Sequence, residues 1–153
     1  HACVACLVKQ RKWAKVTKIL TTNTSVTLNE RDLYRCHRTC HGINDSPTIL
    51  HFACRFKPSL TAVTAIIASR PISVFQLDVI NRYPLHIASE YGASADVIHY
   101  ILKHNKRAAI FRDRGGNIPL HLVVLHCYYE IERRLDATGF HLHLETSNQC
   151  AIL

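Results

Sequence analysis

Apolar residues recur along this chain at helical spacing. Val63, Ile66 and Ile67 stand at i, i+3 and i+4, and Ile98, Ile101 and Leu102 repeat that pattern with an offset of 98 − 63 = 35. Such spacing gathers one apolar stripe on a helix and turns the other face to solvent. Trp13, Val16, Ile19 and Leu20 predict a further amphipathic helix near the start, with Lys9, Arg11, Lys12, Lys15 and Lys18 mostly off its apolar face. The stretch 21–47 is polar, with Cys, His and Arg interspersed, and reads as a long loop.

The same 35-residue period runs through shorter motifs. Leu50-His51, Leu85-His86 and Leu120-His121 are evenly spaced. Around them, Thr48 to Ala53 aligns with Tyr83 to Ala88 and with Ile118 to Val123, and Asp78 and Asp113 each precede the Leu by seven positions. A fixed period of this length is the mark of a repeat architecture, in which one supersecondary unit is copied along the chain. Each unit makes sense as two short helices. Pro84 and Pro119 suit a first helical position, where no N–H is needed. Gly92 suits a left-handed cap that ends the first helix. Asn81 and Gly116 occupy equivalent places where a tight turn with positive φ is expected. The third unit continues through Ile131 and Leu135 into a His-rich end, Phe140 to Leu144.

These residues resemble an ankyrin-repeat protein, over roughly residues 46 to 136 and most closely in the middle unit, Tyr83-Pro84-Leu85-His86-Ile87-Ala88 followed by Gly92. The resemblance implies an all-α fold: a helix–turn–helix stack of about three units with projecting hairpin-like loops, preceded by an N-terminal capping helix. It implies a binding surface and no active site. Tyr83 and Ile118 replace the Thr whose hydroxyl the family uses to bond its His. Ile49 stands in place of Pro, and Lys57 and Cys127 stand where a capping Gly belongs. The expected organisation is an unstructured segment at 1–10, a capping helix and polar loop at 11–45, repeats at 46–136 and a tail at 137–153. Carried over position by position, the groove of first helices contains Arg55, Phe56, Glu90, Tyr91, Leu125 and His126. Val79, Ile80, Arg82, Arg114 and Asn117 fall on the turn tips. Leu50, His51, Pro84, Leu85, His86, Gly92, Pro119, Leu120 and His121 are the residues expected to hold the fold.

Composition narrows the chemistry. The 153 residues are 48% hydrophobic and 20% charged, enough to bury a core. Nineteen Lys+Arg against eleven Asp+Glu give +8, concentrated before residue 131. That charge favours an acidic protein partner over nucleic acid, because no aromatic–basic recognition module accompanies it. No apolar run approaches the ~18 residues of a membrane-spanning helix. The chain begins at His1 and contains no Met, so a processed form or fragment is expected, and its first dozen residues lack the order of a secretory signal.

The seven cysteines read as free thiols of an intracellular protein, cytoplasmic or nuclear. Cys3 and Cys6 with Cys36 and Cys40 are a weak zinc candidate. Their second half has the wrong spacing and a predicted helix separates the halves. His51, His86 and His121 lie one per unit, too far apart for a shared ion. Cys150-Ala151-Ile152-Leu153 matches a prenylation box, and with the basic N-terminal helix defines the alternative of a membrane-peripheral adaptor. No phosphate loop is present, since Arg114-Gly115-Gly116-Asn117 lacks the spacing and the Lys, and no local motif pairs a nucleophile with a base. The expectation is a non-catalytic protein–protein interaction scaffold with no cofactor and no small-molecule substrate.

Overall fold

Helices make up all the regular structure of the described residues, which are 4–22 and 48–137 of the computed structural model. The order is α1 (Val4–Lys9), α2 (Trp13–Thr22), α3 (Ile49–Cys54), α4 (Leu60–Ser69), α5 (Pro84–Glu90), α6 (Ala95–His104) and α7 (Pro119–Ala137). Short 3-10 turns, Pro71–Phe75 and Lys106–Ala109, follow α4 and α6. The described residues are all-α, and their helix pairs recur with the period of the sequence. α5 begins 84 − 49 = 35 residues after α3, and α6 begins 95 − 60 = 35 after α4. We call α3 and α4 unit one, α5 and α6 unit two, and α7 unit three.

Two contacting helices joined by four or five residues form an antiparallel hairpin, as in units one and two. Equivalent helices of successive units then pack side by side: α3 on α5, α5 on α7, and α4 on α6. One continuous core results, in which Leu50, Phe52, Val63, Ile66, Leu85, Ile87, Val97 and Ile101 are buried.

The N-terminal region departs from the expectation. Residues 1–10 are not a plain unstructured segment, because Val4–Lys9 is helical and buries Val4, Ala5, Leu7 and Val8. α1 packs on α2 and α3, and α2 packs on α4. The cap is therefore a helix pair in the place of a preceding unit. Six apolar-rich residues cannot hold a helix alone, and it is the faces offered by α2 and α3 that make one here. On α2, Val16 and Leu20 are buried, while Trp13 and Ile19 pack at the edge of the core.

Helix endings carry the clearest sequence logic. α1 closes on Arg11 (φ 54), with Arg11 N–H donating to Val8 O at 2.9 Å and Lys12 N–H to Leu7 O at 2.9 Å. α5 closes in the same way on Gly92 (φ 65), through Gly92 N–H to Ser89 O and Ala93 N–H to Ala88 O. This is the Schellman arrangement, and it places one residue in the left-handed region. In unit one Lys57 takes φ 54, and Pro58, which follows it, has no N–H to complete the motif. In unit three the equivalent residue is Cys127, no left-handed turn forms, and α7 runs on for 19 residues. The expected third helix pair is thus one straight helix. Leu120 and His121, expected to help hold the fold, are exposed because no second helix returns over them among the described residues.

Candidate interaction surface

Between the helix pairs lie two turns built on one frame. Asp78 N–H donates to Arg82 O at 3.0 Å and Asn81 N–H to Asp78 O at 3.1 Å. Thirty-five residues later, Asp113 N–H donates to Asn117 O at 2.9 Å and Gly116 N–H to Asp113 O at 3.0 Å. Asn81 (φ 60) and Gly116 (φ 79) both take the left-handed conformation expected of them. The Asp carboxylates brace the loops from within. Asp78 Oδ1 accepts from the N–H of Ile80 and of Arg82, and Asp113 Oδ1 accepts from Asn117 N–H at 2.8 Å. Arg114 N–H donates to Ile80 O at 3.1 Å, which ties one turn to the next.

Histidines tie the first helices to the segments between units, His51 to the turn itself and His86 to Phe111, two residues ahead of its turn. His51 Nε2 lies 3.0 Å from Arg82 O, and His86 Nε2 lies 2.9 Å from Phe111 O. A carbonyl only accepts, so each Nε2 carries the proton and each Nδ1 is left as an acceptor. In unit one the Thr48 hydroxyl donates to that Nδ1 across 2.7 Å. In unit two, where Tyr83 has no hydroxyl in reach, its backbone N–H does so at 3.2 Å. Burial lowers the His51 pKa to about 4 and lowers that of His86, since the charged imidazolium would lose its water. Both are structural groups, held neutral.

Of the tip residues read from the sequence, Val79, Ile80 and Arg114 are exposed, whereas Arg82 is not a free tip. Its Nε meets Asp78 Oδ2 at 2.9 Å and its Nη1 meets Glu90 Oε2 at 2.7 Å, so Arg82 and Glu90 lock the turn onto α5. A charge that pairs within the fold is less available to a partner, and here both ends are engaged. Asn117 is half-buried in its turn.

Along the first helices, Tyr91 is exposed. Phe56 is half-buried and edge-on to Phe52, with ring centroids 5.1 Å apart. Arg55 is half-buried, and its Nε finds no hydrogen-bond partner among the described residues. Leu125 is exposed, and His126 lays its ring against Gly92, where a Cβ would collide with it.

Further exposed apolar residues lie just ahead of the two turns in sequence. Phe75 is 52% and Ile110 81% exposed, and 110 − 75 = 35 places them at the same point of successive units. Ile72 and Leu77 lie beside Phe75 in sequence and are also exposed. The register itself was the available signal. Basic side chains add charge nearby in sequence or on the cap: Arg112 and Arg114 at the second turn, and Lys12, Lys15 and Lys18 on the N-terminal pair, are all exposed.

Among the described residues no group of three or more His, Cys, Asp or Glu could hold a metal ion. Cys6 is half-buried on α1, while Cys3, Cys36, Cys40 and the prenylation candidate Cys150 lie outside the described residues. Cys54 is buried, and desolvation pushes its thiol up to about 12, which makes it inert. No described helix is long and apolar enough to cross a membrane. In comparison with known proteins, no family model matches the chain, and no curated protein matches it.

Proposed function

We propose that this chain is a non-catalytic protein–protein interaction scaffold of the ankyrin-repeat type, which binds its partner through the turn tips and the adjoining groove. One observation carries the reading: apolar side chains are exposed on, and just ahead of, turns built on a repeated frame. Val79 and Ile80 are exposed on the turn braced by Asp78, and Phe75 and Ile110 are exposed three residues ahead of Asp78 and Asp113. An isolated surface hydrophobe needs no explanation, but several on preorganised loops describe a binding site whose ordering cost is already met. The 35-residue recurrence of helix pair, 3-10 turn and Asp-framed turn supports the ankyrin-type reading. Tyr91 beside the groove is of the residue type that dominates interface energies. The exposed lysines and arginines favour an acidic partner, recruited faster at low salt.

The test begins with a partner identified by affinity capture and rebuilt from purified components. Val79→Ala combined with Tyr91→Ala is expected to weaken its Kd by about tenfold or more with the thermal melt unchanged. An affinity that ignores both substitutions, measured on a folded variant, sinks the proposal.

A further inference from the structure

Helix α7 carries a second apolar stripe that nothing among the described residues covers. Leu120, Val124, Cys127 and Ile131 stand at i, i+4, i+7 and i+11, the spacing of a helix–helix seam. Leu120 is 62%, Val124 61% and Ile131 58% exposed, and Cys127 is an exposed free thiol. The side of α7 that meets the fold is a different one, where Pro119 and Leu122 are buried and His126 touches Gly92. No charged residue falls on the stripe from Leu120 to Ile131. A helix face meant for water alone would carry charge there.

The fold also indicates what shape would cover it. Leu50 and Leu85, the counterparts of Leu120, are buried in units whose second helix returns antiparallel to the first. In unit three the helix runs straight through Cys127, so an antiparallel helix is the missing complement.

We propose that α7 is the contact of a two-fold dimer, in which α7 of a second copy runs antiparallel along Leu120, Val124, Cys127 and Ile131. The stripe is self-complementary in that arrangement. Leu120 faces Ile131 of the second copy and Val124 faces Cys127, large against large and small against small, repeated by the two-fold axis. His121 and Glu132, one oxygen of which accepts from the Tyr128 hydroxyl, lie on one flank of the stripe, so the same operation sets His121 of each copy beside the second carboxylate oxygen of Glu132 of the other. This pairs a hydrogen-bond donor with a carboxylate at both ends of the contact. Together with the flanking Tyr128, the two stripes would remove up to about 1,000 Å² from water, the size of a weak, transient contact. A reversible dimer of micromolar affinity is the consequence.

Sedimentation equilibrium on the full 153-residue chain under reducing conditions, from about 1 µM to about 200 µM, tests this. A monomer–dimer equilibrium is expected. Val124→Glu with Ile131→Glu should leave only monomer over the whole range. The melt of that variant should match the wild-type monomer, because both positions are exposed there. A short bismaleimide should join two copies through Cys127, which lies beside the two-fold axis, and Cys127→Ser should abolish that product. A monomeric wild type overturns the proposal, and so does a dimer that persists in the double variant. If the wild type is monomeric and the double variant melts earlier, the stripe is covered within one chain, by residues outside those described, and the dimer is likewise excluded.

Discussion

Units two and three open on nearly the same residues and end in different environments. Pro84-Leu85-His86 and Pro119-Leu120-His121 both start a helix after a turn framed by an Asp. Yet Leu85 is 2% exposed and Leu120 62%, and His86 is buried where His121 is exposed. The difference traces to two things downstream. Gly92 ends α5 and lets α6 return, while Cys127 lets α7 continue. Phe111 O lies in place for His86, and among the described residues no further turn follows unit three to receive His121. A repeat motif is thus a set of half-contacts, and its energy is realised only where the next element supplies the other half.

The largest test of that contrast is a paired truncation. Leu85→Ala should destabilise the fold by about 2–5 kcal/mol, as for a buried large-to-small change. Leu120→Ala, in dilute protein, should stay within about 0.5 kcal/mol. Chemical denaturation of both variants decides it, and equal losses would show that the two leucines share one environment after all.

Next comes acid. His51 is neutral when folded, with its pKa lowered to about 4, and His86 is shifted in the same direction. As pH falls through 6.5 the unfolded chain takes up protons that the folded chain refuses, so stability is whole above 6.5 and is lost progressively toward pH 4. For His51 alone the loss is about 3 kcal/mol. Denaturation midpoints between pH 7 and 4 should follow this slope, and His51→Gln should flatten it.

A smaller effect separates the two glycines. At Gly92 an added Cβ meets the left-handed strain and the tip of the His126 ring, which can swing aside, so Gly92→Ala should cost about 1–2 kcal/mol. At Gly116 nothing lies within 4 Å, and Gly116→Ala should cost only the strain of about 1 kcal/mol. Adding His126→Ala to Gly92→Ala should recover the difference in a double-mutant cycle.

The smallest effect runs the other way. Lys57 holds φ 54 with a side chain where unit two has glycine. Lys57→Gly should raise the melting temperature, by the equivalent of about 0.5–1 kcal/mol, the relieved strain exceeding the added freedom of the unfolded chain.

Much of the frame was legible in the residues because it is local. The 35-residue period and the positive φ at Asn81, Gly92 and Gly116 each depend on a few consecutive residues. So does the helix start at Pro84. The candidate surface was legible only in part. Val79, Ile80 and Tyr91 could be placed outward by register, but Arg82 could not be known to spend its charge on Asp78 and Glu90. Glu90 lies eight positions away, and only the fold of the turn onto α5 brings it within 2.7 Å. Phe75 and Ile110 were in register from the start, yet an exposed apolar residue looks in sequence like a buried one.

The N-terminal pair follows the same rule. The apolar stripe of Trp13, Val16, Ile19 and Leu20 announced α2, whereas α1 is six residues whose helix exists by packing on α2 and α3. By itself the sequence determined an all-helical chain of period 35, since spacing, caps and turns act over a few bonds. The tertiary structure decided which copies of a motif are core and which are surface. That choice depends on whether a neighbouring element arrives to remove water, and no single segment carries this information.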